Sequence, residues 1–204
     1  MARGGPSSAR GGRRNRLRIV AGRWRGRALA FPDQPGLRPT GERVRETLFN
    51  WLGAAVRQAH CLDLFAGSGA LGLEAASRGA ASVLLVERSA SVARALESNL
   101  EQLAAGDTAR VLQADALALL RCPPPRPMDC VFLDPPFQSD ILSSVFALLE
   151  GGGWLAPEAF IYLETDRHHP PPAWPENWEL RREATAGNVA FRLLRRVGSD
   201  ITGE

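Results

Sequence analysis

The stretch Asp63-Leu64-Phe65-Ala66-Gly67-Ser68-Gly69-Ala70-Leu71-Gly72 decides the fold of this 204-residue chain. The apolar run at residues 61–65 predicts a buried strand before the glycines, and the apolar spacing over residues 70–78 predicts a helix after them. The glycines between strand and helix follow the pattern G-x-G-x-x-G, which makes a tight turn and lets a cofactor approach the backbone. The sequence therefore predicts an α/β domain that binds a cofactor containing adenosine.

Acidic residues end the predicted strands around this loop. Glu87 stands 20 residues after Gly67 and closes the next strand, where a carboxylate can accept hydrogen bonds from ribose hydroxyls. Asp115 follows the third strand and either accepts from an adenine amine or caps a helix. Two cofactor classes stay open: a dinucleotide with its pyrophosphate at the helix N-terminus, or S-adenosylmethionine (SAM) with its amino group near Asp63.

A second stretch, Val131-Phe132-Leu133-Asp134-Pro135-Pro136-Phe137, ends a predicted strand in a stiff corner. Proline fixes its own φ and disfavours helix in the residue before it, so the chain leaves the strand extended. The Asp134 side chain and the Pro135 carbonyl are acceptors, and Phe137 adds a flat apolar face. These groups suit a planar ligand with an exocyclic amine, such as a nucleobase, although turn chemistry alone also explains the prolines.

Strands and helices alternate from residue 61 onward, which is typical of a mostly parallel sheet. Predicted strands cover residues 61–65, Ser82–Glu87, Ala109–Gln113, Met128–Leu133 and 159–163, and predicted helices cover residues 70–78, 89–103 and 141–149. Two later runs, 178–184 and 189–195, flank Thr185-Ala186-Gly187-Asn188 and predict a C-terminal antiparallel hairpin.

The chain before this domain divides into two parts. Residues 1–16 are rich in glycine, serine and arginine, which predicts a disordered tail. Residues 17–57 predict a small N-terminal β-hairpin and then a helix that Thr40 is placed to N-cap. We expect residues 58–197 to form the main domain and residues 198–204 a frayed tail.

Arginine is concentrated at the start of the chain. Residues 1–45 hold 12 arginines against two acids, whereas residues 46–204 hold 13 arginines against 20 acids, for a net charge of +3. This asymmetry indicates a nucleic-acid-facing end on an acidic body. The arginines at the predicted helix start oppose its dipole, so either a visiting anion or simple surface placement explains them. The residues expected to bind nucleic acid are Arg18, Arg23, Trp24, Arg25, Arg27, Arg38, Thr40, Arg43 and Arg45.

The remaining composition excludes several classes of protein. With 45% hydrophobic residues the chain can bury a core, and its apolar runs are strand-sized, too short to span a bilayer. No apolar segment follows the basic N-terminus, so we expect no secretory signal. Cys61, Cys122 and Cys130 lack metal-ligand spacing, and we expect reduced thiols, no metal and a cytoplasmic location.

Together these features resemble the class I SAM-dependent methyltransferases, a Rossmann-like α/β fold whose sheet ends in an antiparallel hairpin. The Asp134–Phe137 tetrad is similar to the [DN]-P-P-[YF] motif of enzymes that methylate exocyclic base amines. Further stretches resemble the bacterial 16S rRNA guanine-N2 methyltransferases, the RsmD family. They are Arg18-Ile19-Val20-Ala21-Gly22, Arg25-Gly26-Arg27, Leu37-Arg38-Pro39-Thr40 and Arg43-Val44-Arg45-Glu46-Thr47-Leu48-Phe49-Asn50-Trp51-Leu52, and the resemblance extends over residues 17–196.

The resemblance implies methyl transfer from SAM to N2 of one guanine in 16S rRNA, within the 30S subunit or a late assembly intermediate. It implies a methyltransferase domain at residues 58–197 and an RNA-binding hairpin and helix at residues 17–57. We expect a monomer with no membrane partner. The expected catalytic residues are Asp134, Pro135, Pro136 and Phe137. The expected cofactor-binding residues are Asp63, Phe65, Gly67, Ser68, Gly69, Glu87, Arg88, Asp115, Ala116 and Asp134.

Two rival functions share parts of this pattern. A DNA adenine or cytosine amino-methyltransferase shares the Asp134 tetrad, but not the RsmD-like stretches at residues 37–52. A nicotinamide-dependent oxidoreductase shares the glycine loop, but it has no use for the proline corner. It would also leave the concentration of arginine in residues 1–45 unexplained. A non-catalytic RNA-binding protein would not need the intact acids and glycines of the cofactor loop.

Overall fold

Seven strands form one mostly parallel sheet at the centre of the protein. The computed structural model describes residues 15–35, 37, 39–136 and 141–198. The sequence predictions on residues 1–14, Arg38, Phe137 and residues 199–204 lie outside the described residues. Where the sheet is described, its strand order is β5-β4-β3-β6-β7-β9-β8, and the separate N-terminal pair is β1-β2.

The strands and helices follow the predicted alternation. The strands are β1 Asn15–Arg18, β2 Ala28–Phe31, β3 His60–Asp63, β4 Ser82–Glu87, β5 Ala109–Gln113, β6 Met128–Leu133, β7 Leu155–Asp166, β8 Trp178–Ala186 and β9 Val189–Arg196. The α-helices are α1 Glu42–Leu52, α2 Gly72–Ser77, α3 Ala90–Gln102, α4 Ala116–Leu120 and α5 Leu142–Gly151, and 3-10 turns cover Gly53–Val56 and Gly106–Thr108.

The order of the strands sets the position of the site. Strand β3 pairs in parallel with β4 on one side and with β6 on the other, so the chain changes direction across the sheet between β3 and β6. Ligands of open α/β sheets bind outside the carboxyl ends of the strands at such a switch point. Asp63 and Asp134 are the residues at the carboxyl ends of these two strands.

Apolar side chains cover both faces of the sheet. One core cluster joins the N-terminal hairpin with α1, α2 and α3, and a second joins α4 and α5 with the opposite face. Antiparallel pairing of β7 with β9 and of β8 with β9 completes the sheet, as the turn at Gly187 predicted. None of the described helices is long and apolar enough to cross a bilayer.

The N-terminal hairpin is anchored on helix α2. The backbone N–H groups of Val20 and Ala21 each donate to the Glu74 carboxylate over 2.9 Å. The Arg23 N–H donates to the Ser77 carbonyl over 2.8 Å, and the Trp24 N–H donates to the Ser77 hydroxyl over 3.0 Å. The hairpin therefore shares hydrogen bonds and core with the helix that follows the glycine loop.

Three details differ from the sequence predictions. The N-cap of α1 is Gly41, not Thr40, because the Thr40 hydroxyl is directed to Asp134 instead of to the helix N-terminus. Strand β1 begins at Asn15, within the segment predicted as a tail. Helix α4 follows Asp115, as the capping alternative requires, but its bounds were not predicted, since its five residues are too few to show helical periodicity.

Candidate cofactor and base site

The glycine loop between β3 and α2 is held by a buried carboxylate. The Gly72 N–H donates to Asp63 Oδ2 over 2.8 Å, so this acid fixes the start of α2. Gly69 has φ +81°, and a Cβ there would lie 2.7 Å from Leu73 and Leu96 side-chain atoms. Glycine is therefore required at this position by both backbone conformation and space.

Burial dominates the chemistry of Asp63. Desolvation raises its pKa to about 7, opposed by the hydrogen bond from Gly72, and the Glu87 charge raises it further. A carboxyl in this state is poised between neutral and ionised forms near neutral pH. The predicted contact of Asp63 with a SAM amino group stays a prediction, because the hydrogen bond found here is to the loop itself.

Glu87 links the glycine loop to the start of α3. Its Oε2 accepts from the Gly67 N–H over 3.0 Å, and its Oε1 accepts from the Ser89 N–H over 2.6 Å. A carboxylate has about four acceptor positions, so two remain for ribose hydroxyls. The acid stands at the carboxyl end of β4, where the motif predicts a ribose contact.

The other predicted cofactor residues surround this loop in different environments. Asp115 caps α4 by accepting from the Ala118 N–H over 3.0 Å, so its helix-capping alternative holds and its second oxygen is left for another donor. Ser68 and Ala116 are buried, Phe65 is half-buried and Arg88 is exposed. The strand order places Asp115, Glu87, Asp63 and Asp134 along the carboxyl edge of four neighbouring strands.

Asp134 stands at the proline corner after β6, with part of its surface exposed. Thr40 Oγ1 donates to Asp134 Oδ2 over 3.4 Å. Burial raises the Asp134 pKa well above its ordinary value, and the nearby Glu164 and Asp63 charges raise it further, whereas Thr40 lowers it. The corner thus presents a carboxyl whose pKa is raised mainly by burial and further by the neighbouring acids.

A cleft of about 290 Å³ opens beside this corner, and Pro135, Leu142, Glu164 and Asp166 are among the residues that line it. Small-molecule pockets begin at roughly 300 Å³, so the cleft has room for one planar base. Its walls combine the apolar faces of prolines with carboxylates that can accept N–H donors. Pro136 also lines this cleft, and its predicted catalytic role stays a prediction.

Three residues predicted to bind nucleic acid are instead buried. Thr40 is 8% exposed, and its hydroxyl donates to Asp134. Arg45 is 1% exposed and pairs with Glu74, and Trp24 is 7% exposed because its ring packs in the core. The other described arginines of that set are exposed: Arg18, Arg23, Arg25, Arg27 and Arg43. The predicted nucleic-acid surface is therefore reduced to the exposed arginines, whereas Trp24 and Arg45 belong to the buried contacts of the hairpin.

Two functional candidates were not predicted from the sequence. Glu164 is a buried acid near the carboxyl end of β7 and accepts a hydrogen bond of 2.8 Å from the Tyr162 hydroxyl. Glu74 anchors the hairpin from α2. An acid that closes an apolar strand was the signal used for Asp63, and the same signal at Glu164 would have found it. Glu74 gave no such signal.

In the part of the chain that the structure describes, no group of three or more His, Cys, Asp or Glu side chains is arranged to hold a metal ion. Cys61 and Cys130 lie on paired positions of β3 and β6 as free thiols. The site consists of carboxylates, backbone amides and a glycine loop.

A family model described as "conserved hypothetical protein 95" matches residues 17–195. The chain belongs to this family. Its relatives include the ribosomal RNA small subunit methyltransferase D of Escherichia coli K12, 52% identical over 88% of this chain and 90% of the relative. The protein of the same name from Haemophilus influenzae is 46% identical over 88% of this chain and 93% of the relative. The predicted membership of the RsmD family is confirmed.

Solved structures of similar proteins support the predicted fold. A putative methyltransferase from Escherichia coli superimposes with a TM-score of 0.82 at 49% identity, covering 91% of this chain and all of that chain. A putative methylase from Haemophilus influenzae gives a TM-score of 0.78 at 42% identity, covering 90% of this chain and 99% of that chain. The predicted class I methyltransferase fold, with its antiparallel C-terminal hairpin, is confirmed.

Proposed function

We propose that this protein transfers a methyl group from SAM to the exocyclic N2 of one guanine in 16S rRNA. The observation that carries the proposal is the position of Asp134, which stands beside a base-sized cleft at the switch point of the sheet. Relatives that carry the name ribosomal RNA small subunit methyltransferase D support the RNA substrate over DNA. We further propose that the enzyme acts in the cytoplasm as a monomer, on the 30S subunit or a late assembly intermediate.

The glycine loop and Glu87 fit a bound SAM. The Glu87 oxygens are fixed by two backbone amides and keep capacity for ribose hydroxyls. Asp115 is available to the adenine amine through the oxygen that does not cap α4. When bound, SAM supplies an electrophilic methyl group, and the new nitrogen–carbon bond forms as the carbon–sulfur bond breaks with its electrons going to sulfur.

Asp134 and the corner backbone orient the reacting amine. The lone pair of the guanine N2 is delocalised into the purine, so the nitrogen is a weak nucleophile until its N–H groups are held out of the ring plane. The Asp134 carboxylate and the Pro135 carbonyl accept these two N–H groups and direct the lone pair to the methyl carbon. Such alignment can lower a barrier by up to about 7–11 kcal/mol. Phe137 stacks on the base in this proposal.

The hairpin supplies the RNA contacts. Exposed arginines on the hairpin neutralise rRNA phosphates and carry the target nucleotide towards the cleft, where the guanine is swung out of its helix or loop. The guanidinium of the exposed Arg23 lies 4.1 Å from the Trp24 ring centroid, so a cation–π contact fixes the position of this arginine.

The decisive experiment uses labelled SAM, undermethylated 30S subunits and the full chain, followed by mapping of the modified nucleotide. Label at N2 of a single guanine is the expected result. Asp134→Ala should abolish transfer while SAM affinity stays near that of the unaltered protein, because in this proposal the main contact of Asp134 is with the amine, and any contact with the cofactor contributes little to its binding. Phe137→Ala should reduce the rate less, by about the 1–3 kcal/mol of one base stack. A fully active Asp134→Ala variant would refute the assigned role.

A further inference from the structure

Asp134 and Glu164 lie side by side at the edge of the sheet. Strands β6 and β7 pair in parallel with Leu133 opposite Leu163, so the next residue on each strand is one of these two acids. The rings of Phe132 and Tyr162 form a T-shaped, edge-to-face contact with centroids 6.4 Å apart, which places these two side chains on one face of the sheet. Since side chains alternate along a strand, Asp134 and Glu164 fall on that same face.

Two hydroxyl groups surround the pair. Thr40 Oγ1 donates to Asp134 and also lies against Glu164, where its hydrogen bond lowers the pKa of that acid. The Tyr162 hydroxyl donates to Glu164 Oε1 over 2.8 Å. A threonine hydroxyl has one proton to donate, so Thr40 cannot satisfy two charged carboxylates at once.

We infer that Glu164 is a positioning residue for the proposed reaction, because it shares one proton with Asp134 across Thr40. The inference rests on the proposed function, in which Asp134 accepts an N–H group of the target amine. The pair holds one negative charge, which rests on Glu164 while the Tyr162 hydroxyl donates to it. When Asp134 accepts the amine N–H, the shared proton passes to Glu164. When the methylated nitrogen loses its extra proton, the electrons of that N–H bond stay on nitrogen and the proton neutralises the pair.

The surrounding groups favour this single charge. Two carboxylates in contact cannot both ionise easily, and the pair titrates as a unit. Burial raises the pKa of both acids, and each negative charge nearby adds to that of Asp134. The charged or titratable groups around the pair, among the described residues, are Asp63 on β3, Tyr162 and Asp166 on β7, His169 at the cleft, and Arg45, whose Nε donates to the Thr40 carbonyl.

The test is a carbon-13 NMR titration of aspartate carboxyl groups in the full chain with SAM bound, using Asp134→Asn to assign the Asp134 signal. In Glu164→Gln the neighbouring charge is gone, so the pKa of Asp134 should fall by at least about one unit, a tenfold change in proton affinity. Tyr162→Phe should also lower the pKa of Asp134, but by a smaller amount. Without the hydrogen bond from Tyr162, Glu164 holds the shared proton for more of the time. Glu158→Gln, an exposed acid paired with Arg195, is the matched control and should leave the pKa of Asp134 unchanged.

The same variants are then assayed for methyl transfer to 30S subunits against pH. The acid limb of the kcat profile should move to lower pH in Glu164→Gln, and Glu164→Asp should restore it towards that of the unaltered protein. If the pKa of Asp134 is the same in Glu164→Gln, in Tyr162→Phe and in the unaltered protein, the inference is wrong even if 30S subunits are methylated. If the two acids titrate together but 30S subunits are not methylated, the proposed function is wrong, whereas the sharing of a proton by Asp134 and Glu164 is retained.

Discussion

The guanidinium of Arg45 lies 3.1 Å from the carboxylate of Glu74, and both side chains are almost fully buried. Arg45 also donates from Nη2 to the Arg18 carbonyl over 2.9 Å and from Nε to the Thr40 carbonyl over 3.1 Å. One buried pair therefore connects the hairpin, the segment before α1 and helix α2. Thr40 is in turn bonded to Asp134, so the pair also supports the proposed catalytic corner.

Breaking this pair should strongly destabilise the fold. Glu74→Gln leaves the Arg45 charge buried without its partner, which typically costs about 3–5 kcal/mol. The measurement is the free energy of unfolding in urea, where the midpoint should fall. Glu158→Gln removes an exposed pair and should cost no more than about 1 kcal/mol. Equal losses in the two variants would contradict the anchoring role of Glu74.

Gly22 and Gly26 offer a matched test of hairpin docking. Both have positive φ, +81° and +80°, but a Cβ on Gly22 would lie 1.9 Å from the Ser77 carbonyl oxygen, whereas nothing lies within 4 Å of one on Gly26. Gly26→Ala should cost only the backbone strain of about 1–2 kcal/mol. Gly22→Ala should cost clearly more, because overlap with backbone forces the hairpin off α2.

Thermal unfolding and hydrogen exchange distinguish these two variants. Amides of residues 17–31 should exchange much faster in Gly22→Ala and little faster in Gly26→Ala. Indistinguishable exchange would mean that the hairpin is not held by its contact with Ser77.

Strand bounds were predictable where apolar runs stop sharply. Ser82–Glu87, Ala109–Gln113 and Met128–Leu133 match the structure residue for residue. Tertiary contacts were not predictable, because they depend on partners far along the chain. Arg45 reads as a surface cation at a helix start, and its burial is decided by Glu74, which is 29 residues away. The same limitation hid the partnership of Thr40 with Asp134 across 94 residues.

Removing the Glu87 carboxylate should weaken SAM binding. A charged acceptor contributes about 1.5–3 kcal/mol, so Glu87→Ala should raise the Kd roughly ten- to a hundred-fold by calorimetry. Glu87→Gln keeps one carbonyl oxygen for the Gly67 or Ser89 amide and should lose less. Binding of NADH in place of SAM by the unaltered protein would refute the cofactor assignment.

Asp63 should give the protein a measurable pH dependence of stability. An unfolded aspartate loses its proton near pH 3.9, whereas folded Asp63 keeps it to about pH 7. The folded chain therefore binds more protons in this window, and the free energy of unfolding falls as pH rises from about 4 to 7. Asp63→Asn removes this titrating group, so its free energy of unfolding should fall less steeply with pH, by a slope that corresponds to up to about one bound proton. The measurement is chemical denaturation at several pH values without cofactor. Parallel curves for the two proteins would contradict the raised pKa.

The exposed arginines should account for the salt dependence of RNA binding. Each neutralised phosphate on a single strand contributes about 0.7 to the slope of log affinity against log salt, so Arg23→Gln with Arg25→Gln should flatten it by about 1.4. Deleting residues 1–14 removes four more arginines and should flatten it further, with SAM affinity unchanged. Arg181→Gln, an exposed arginine paired with Glu179, should leave the slope alone. Identical slopes in all the proteins would mean that the basic front end is passive.

The anchoring of the hairpin on α2 has a consequence for how the protein is made. Residues 15–31 leave the ribosome first, yet Glu74 and Ser77, which hold them, are synthesised more than 40 residues later. The hairpin therefore has no docking partner until the glycine loop and α2 have also emerged. During translation, the proposed RNA-facing surface and the proposed cofactor loop gain their final shape together, so a chain stopped before residue 77 presents neither.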